Sequence, residues 1–241
     1  MKIVSLVPSI TETLFDVGLD VEQIVGRTKF CIHPGKLVND VEVIGGTKNL
    51  NLEKIKSINP DLIIANREEN EKSQVEELMR DFNVWVTDIE TLEDNSKFLI
   101  ELGKKVNRER ETEKFAAEIN QMFDVIAPVS NIKVAYLIWR NPYMTVGSDT
   151  FIHSVIEKLG FHNIFENQKR YPAVSIEQLK QTDVIFLSSE PFPFSDKHIL
   201  ELKKELPESE ILLVDGEAFS WYGTHIVKCK SYYKELVERF L

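Results

Sequence analysis

The segment Phe30-Cys31-Ile32-His33-Pro34 sets a thiol and an imidazole two residues apart. In extended chain, positions i and i+2 share a side, so Cys31 and His33 could reach one metal or chelate together, although two ligands make an incomplete metal site. The same residues also read as an inert buried thiol beside a loop histidine. Guanidiniums stand in Asn66-Arg67 and in Trp139-Arg140-Asn141-Pro142-Tyr143. Each is suited to bidentate capture of a ligand carboxylate or phosphate, or else to salt bridging with neighbours such as Glu68 and Glu69. Glu190-Pro191-Phe192-Pro193-Phe194 is stiffened by two prolines and could form a binding wall or an edge loop packed on its own domain. Arg170-Tyr171-Pro172 offers a phenol that can stack on a macrocycle, ligate ferric iron or simply anchor its loop. Phe219-Ser220-Trp221-Tyr222-Gly223 gathers three aromatics, and Trp221 is read there as a site residue rather than a core one. His153 and His198 read as structural, and His225 is left open. No GxSxG, Walker A, GxGxxG or HExxH pattern is present. Gly45-Gly46-Thr47-Lys48 lacks the spacing of a phosphate loop and is expected to be a turn.

These groups need strands to deliver them, because ligand sites in open α/β sheets gather at the carboxyl ends of strands. Ile3 to Val7 is a β-branched run stopped by Pro8, and Ser9 with Glu12 three residues on predicts a capping box at the start of a helix over Ile10 to Val17. A short strand is expected at Ile24 to Gly26. Asn51 is expected to cap Leu52 to Ile58, ahead of an apolar strand over Asp61 to Ala65. A helix over Glu69 to Phe82 and a strand at Val84 to Val86 follow. Ile132 to Trp139 reads as a further strand. Alternating strands and helices mean an α/β fold with mainly parallel sheets.

The pattern repeats. Asn51-Leu52-Glu53-Lys54-Ile55-Lys56 before Asp61-Leu62-Ile63-Ile64 is answered by Ser175-Ile176-Glu177-Gln178-Leu179-Lys180 before Asp183-Val184-Ile185-Phe186, and Val84-Trp85-Val86-Thr87-Asp88 by Leu212-Leu213-Val214-Asp215. Two similar lobes are therefore expected, residues 1–92 and 129–241. Between them, 93–128 has one glycine, no proline before Pro128, and apolar residues at helical spacing, which predicts one long connecting helix or two in line.

The 241 residues carry 29 Lys and Arg against 39 Asp and Glu, a net charge of −10 that argues against nucleic-acid binding, which needs a basic face. Cys31 and Cys229 lie too far apart for a disulfide framework or a metal knuckle. No stretch approaches the roughly 20 apolar residues of a membrane span. Met1 to Pro8 is too short an apolar run for a secretory signal, so the expectation is a cytoplasmic protein, or a periplasmic or cell-surface one if a leader has been removed.

The stretch Leu6-Val7-Pro8-Ser9-Ile10-Thr11-Glu12, the segment Asn51 to Ile64, and Asn141-Pro142-Tyr143-Met144-Thr145-Val146-Gly147 followed by Gly160-Phe161-His162-Asn163-Ile164-Phe165 resemble the helical-backbone (class III) substrate-binding proteins of ABC importers. The likeness runs over essentially the whole chain. It is greatest to the cobalamin-binding members, with siderophore and haem receptors as near relatives. It implies a monomeric, non-catalytic receptor without an intrinsic cofactor. Such a receptor would hold a metal chelate (a cobalamin-like corrinoid, a ferric siderophore or haem) in the cleft between lobes. Phe30, Tyr171 and Trp221 match aromatic positions of that cleft. Cys31, His33, Asn66, Arg67, Arg140, Tyr143, Glu190 and Tyr222 complete the expected contacts, Asn66 standing where cobalamin binders carry a tryptophan. Glu71 matches the glutamate by which the N-lobe docks on an ABC permease, and the C-lobe counterpart falls near Gly223, with Glu217 close by. The rival expectation is a two-lobed enzyme, a metal chelatase or glycosyltransferase, in which His33 and Glu190 face each other.

Overall fold

The computed structural model describes residues 1–241 and divides into two compact units. The first comprises Met1–Ile89, Glu93–Ile119 and Tyr222–Val227. The second comprises Glu90–Leu92, Asn120–Trp221 and Lys228–Leu241.

In the first unit the elements run β1 (Ile3–Ser5), α1 (Pro8–Asp16), β2 (Ile24–Arg27), α2 (Gly35–Val38), β3 (Gly45–Gly46), β4 (Asn49–Leu50), α3 (Leu52–Ile58), β5 (Leu62–Asn66), α4 (Lys72–Leu78), β6 (Val84–Thr87) and α5 (Leu92–Val106), with the start of α6 (Glu109–Val125). Four strands form a parallel sheet in the order β2-β1-β5-β6. Val4, Leu6, Ile55, Ile63 and Ala65 belong to one core cluster and are fully buried, the larger aliphatic side chains among them contributing about 1.5–3 kcal/mol each on burial. The hairpin of β3 and β4 turns through Thr47-Lys48, the turn expected there.

Asn51 caps α3 as expected, its side chain accepting from the Lys54 N–H at 3.0 Å. The capping box at Ser9 is not formed. Pro8 occupies the first turn of α1, whose N-cap is Val7, so Ser9 and Glu12 lie inside the helix. Helix α4 starts later than the expected Glu69, because the Asn66 side chain turns the chain first. Its Oδ1 accepts from the N–H groups of Glu68 and Glu69 at 2.8 and 3.1 Å, while Asn70 Oδ1 accepts from the Asn66 N–H.

Of the two expected alternatives, one long helix or two, the connecting segment is two helices. Asn107 takes a left-handed φ of 55° between α5 and α6, a conformation asparagine tolerates better than most residues. The following turn folds back tightly. A Cβ on Gly103 would stand 2.1 Å from Thr112 Oγ1, so only glycine admits the first turn of α6 there.

The second unit continues with β7 (Lys133–Leu137), β8 (Tyr143–Met144), α7 (Phe151–Lys158), β9 (His162–Asn163), β10 (Ala173–Val174), α8 (Ile176–Leu179), β11 (Val184–Ser188), α9 (Asp196–Glu205), β12 (Glu210–Val214) and α10 (Gly216–Ser220). Its sheet is parallel in the order β9-β7-β11-β12, the same arrangement as β2-β1-β5-β6, so the repeat in the sequence is a repeat of topology. Ser175 caps α8 through a full capping box with Gln178, the counterpart of Asn51.

After α10, residues Tyr222 to Val227 return to the first unit through the start of α11 (His225–Lys228), and α12 (Lys230–Glu238) closes the second. No helix is long and apolar enough to cross a membrane.

Candidate functional site

All strands of the two four-stranded sheets run parallel, so within each of these sheets the carboxyl ends share one edge, and most of the residues singled out for chemistry fall in the loops leaving that edge. In the first unit the loop after β2 presents Phe30, 51% exposed, with Lys29 Nζ 5.0 Å from its ring centroid. Ile32 beside it is also exposed. Cys31 turns the other way and is fully buried. Its sulfur accepts from Thr11 Oγ1 at 3.1 Å and meets Thr28 Oγ1 at 3.3 Å, and burial pushes the thiol up from its ordinary value. The expected partnership of Cys31 with His33 at a ligand is therefore corrected. The chain turns through Thr28–Cys31 instead of running extended, and the thiol is part of the interior.

His33 is half-buried and lies 6.0 Å, ring to ring, from His225. His225 Nδ1 sits 2.7 Å from Glu12 Oε2, with both side chains buried. This pair is the centre of a strap. Asn95 Oδ1 accepts from the Gly223 N–H at 2.6 Å, Thr13 Oγ1 accepts from the Thr224 N–H at 3.1 Å, and Thr224 Oγ1 donates to Asp16 at 2.6 Å. Glu12 and His225 thus hold Tyr222–Val227 onto α1. Tyr222 is 5% exposed and meets Phe98 edge-on, with its phenol beside Ser9 and Thr87, which makes it a structural residue rather than a ligand contact. Gly223 carries a φ of 83° and is pressed against Thr13.

Asn66 is 3% exposed and spends its amide on Thr87 and the turn already described. The amide of this expected ligand contact is thus engaged within the first unit. Arg67 is exposed and pairs with Asp88 at 2.6 Å. Glu71, at the N-cap of α4, is exposed.

In the second unit Arg140 pairs with Glu201 at 2.6 Å. Tyr143 lies in β8 and packs on the core. Tyr171 is half-buried under the Arg170 guanidinium, 5.7 Å from its centroid. Glu190 accepts from Ser220 Oγ at 2.7 Å. Burial raises its carboxyl, hydrogen bonds from Ser220 and Trp221 act against this, and the nearby Glu217 and Asp215 push it further up. Trp221, expected as a site residue, is 8% exposed and lies beside Glu190. The ring that does face solvent is Trp139, 42% exposed at the end of β7. The sequence showed it only as the first residue of a loop valued for its arginine. The two histidines read as structural are so: His153 is buried against Asn163, and His198 Nδ1 accepts from the Ser195 N–H at the start of α9.

Nowhere do three His, Cys, Asp or Glu side chains gather as a metal-holding set. What the strand ends offer a ligand is exposed ring surface, flanked by guanidiniums already paired with carboxylates.

Residues 3–210 match the family described as periplasmic binding protein. The vitamin B12-binding protein of Vibrio parahaemolyticus is 26% identical over 215 residues, covering 86% of this chain and 77% of that one. Among solved structures, the periplasmic haem-binding protein HutB of Vibrio cholerae superposes with a TM-score of 0.83 at 19% identity, covering 98% of each chain. The periplasmic vitamin B12-binding protein BtuF of Vibrio cholerae gives 0.76 at 20% identity, covering 99% of this chain and 96% of that one. At these identities the two structures establish the fold.

Proposed function

The chain belongs to the periplasmic binding protein family, and we propose that within it this protein binds a metal chelate of the corrinoid, ferric-siderophore or haem type, stoichiometrically and without chemistry, as the substrate-binding component of an ABC importer. The observation that carries this reading is the pairing of that membership with ring surface left exposed at the strand ends, Phe30 above all. Phe30 and Ile32, two residues apart in one loop and 51% and 53% exposed, offer apolar surface that a chelate with an apolar face would cover. The relatives named above bind vitamin B12 and haem, which supports the ligand class.

Glu71 is proposed as a docking residue for the permease, since it is exposed just ahead of α4 and carries no structural cap. Cell fractionation separates a periplasmic from a cytoplasmic place of work.

Titration of the purified protein with cyanocobalamin, haemin and ferrichrome, followed by calorimetry and tryptophan fluorescence, tests the reading. Saturable one-to-one binding of at least one chelate, without turnover, is expected. Binding of none would overturn it.

A further inference from the structure

We propose that His198 is an acid-sensitive latch of the second unit: as a neutral imidazole it caps α9 and pins the loop between β11 and α9, and on taking up a proton it releases both.

The loop 189–195 carries Phe192 and Phe194 from the end of β11 to the start of α9. Helix α9 begins after Ser195, and the N–H groups at such a start have no partner within the helix. His198 stands at the third helical position, where a glutamate or glutamine reaches back to close a capping box. Gln178 does this for α8. In α9 the acceptor is a ring nitrogen: Nδ1 takes the Ser195 N–H at 2.9 Å, with Ser195 Oγ 3.1 Å away. A ring nitrogen that accepts carries no proton, so this bond exists only for the neutral imidazole with its hydrogen on Nε2.

The same ring is wedged against two phenylalanines. Its centroid lies 5.3 Å from Phe192 and 5.4 Å from Phe194, both edge-on, and the two phenylalanines meet at 4.7 Å. Phe194 belongs to the core of the unit and Phe192 rests on it. Phe192 also meets Trp139 at 5.8 Å and donates its N–H to Ile138 C=O at 3.3 Å, so the latched loop is continuous with the exit of β7.

The surroundings disfavour a cation. His198 is 2% exposed. Asp196, Lys197 and Glu201 share its helix, Arg140 acts on it from the exit of β7, and Glu190 stands at the head of the loop, bonded to Ser220. Glu201, the carboxylate that favours the imidazolium, is already paired with Arg140 at 2.6 Å. The positive end of the helix dipole adds to the cost. Burial first, then Lys197 and Arg140, lower the imidazole from its ordinary value of 6.5 against the pull of Glu201. Protonation puts a hydrogen on Nδ1, where it faces the Ser195 N–H donor to donor, so the cap is lost and a charge is left among rings. Because the native ring holds its proton more weakly than the unfolded chain does, the stabilisation is fully present above pH 6.5 and is lost as pH falls through that value and then through the lower native one.

The test compares wild-type protein with H198Q, which keeps a capping acceptor at the same position and has nothing to titrate. Hydrogen exchange of the amides over 195–199, corrected for intrinsic rates, is followed from pH 7.5 to 5.5. Opening of this segment in the wild type should rise by about 3- to 10-fold relative to H198Q, since linkage allows at most about 10-fold for each pH unit below 6.5. The other histidines are common to both proteins and cancel. Equal pH dependence in the two proteins overturns the proposal. Where H198Q fails to fold, nitrogen–proton correlation spectra of the wild-type imidazoles decide: a hydrogen on Nε2 at pH 7.5 with a titration midpoint below 6.5 supports the latch, and a hydrogen on Nδ1 or a midpoint at or above 6.5 overturns it. Neither readout involves a ligand, so the outcome is independent of the chelate-binding reading.

Discussion

Replacing Gly223 by Ala tests whether the strap from Tyr222 to His225 is held by contact geometry or merely lies where it does. Residue 223 has φ 83°, a region in which an L side chain costs about 1–2 kcal/mol. The new Cβ would also stand 2.0 Å from Thr13 Oγ1, so that hydroxyl has to move. It cannot do so freely, because it donates to Ser9 C=O at 2.8 Å and accepts from the Thr224 N–H at 3.1 Å. Losing both buried hydrogen bonds adds about 2 kcal/mol. The sum is about 3–4 kcal/mol. At about 2–4 °C per kcal/mol for a chain of this size, the midpoint should fall by about 6–16 °C. Urea denaturation and thermal melting measure both numbers. The Thr13→Ala background separates the two causes, since it removes the colliding hydroxyl and leaves the backbone strain. There G223A should cost only the first 1–2 kcal/mol, a coupling of about 2 kcal/mol between two positions far apart in sequence. A G223A midpoint within about 2 °C of wild type, or full additivity in the double variant, would refute the reasoning.

Three further outcomes follow from the same coordinates. His225→Ala strips the Glu12 carboxylate of its imidazole partner at a site where both side chains are at most 10% exposed, and the cost expected in urea unfolding is about 3–5 kcal/mol; a loss under 1 kcal/mol would make the pair incidental. Burial raises the Glu190 carboxyl above its ordinary value of 4.5, so the native state holds that proton longer than the unfolded chain. Stability linked to the group is then fully present below pH 4.5 and falls as pH rises through the native value. Glu190→Gln should therefore gain on wild type as pH rises from 4 to 8, and the opposite slope in urea midpoints would show the carboxyl to be favoured as an anion. Finally, because Arg67 and Arg140 are each paired within their own unit, the affinity for an uncharged chelate should change by less than about 2-fold between 50 and 500 mM salt; a steep decline in calorimetric titrations would mean that a guanidinium contacts the ligand.

The parts of the fold that could be read from the sequence are those whose cause is local. Asn51 and Ser175 cap helices because a side-chain oxygen reaches an N–H three residues on. The apolar runs in β5 and β11 are buried on both faces, as parallel strands require. Elements were misread where a local rule met a stronger local competitor. Pro8 took the first helical position and displaced Ser9 from the cap. The Asn66 side chain gathered two N–H groups that would otherwise have opened α4 early. Asn107 left the helical region in a stretch whose spacing alone reads as unbroken.

The candidate site was legible as loops and much less so as side chains. Parallel strands fix which loops share an edge, but whether an aromatic in such a loop faces water depends on what the rest of the chain brings to it. Phe219, Trp221 and Tyr222 cluster in sequence and all turn inward, whereas Trp139, between Ile138 and Arg140, stays 42% exposed. The Glu12–His225 pair joins residues 213 positions apart, beyond any local rule, and turned an expected cap into the anchor of a strap. The arginines show the same logic in charge. Each was read as a hand for an anionic ligand or a salt-bridge partner, and each pairs with a carboxylate of its own unit, Asp88 for one and Glu201 for the other. Those charges are answered internally and the thiol is sealed in the core, so the strand ends are left with exposed ring faces.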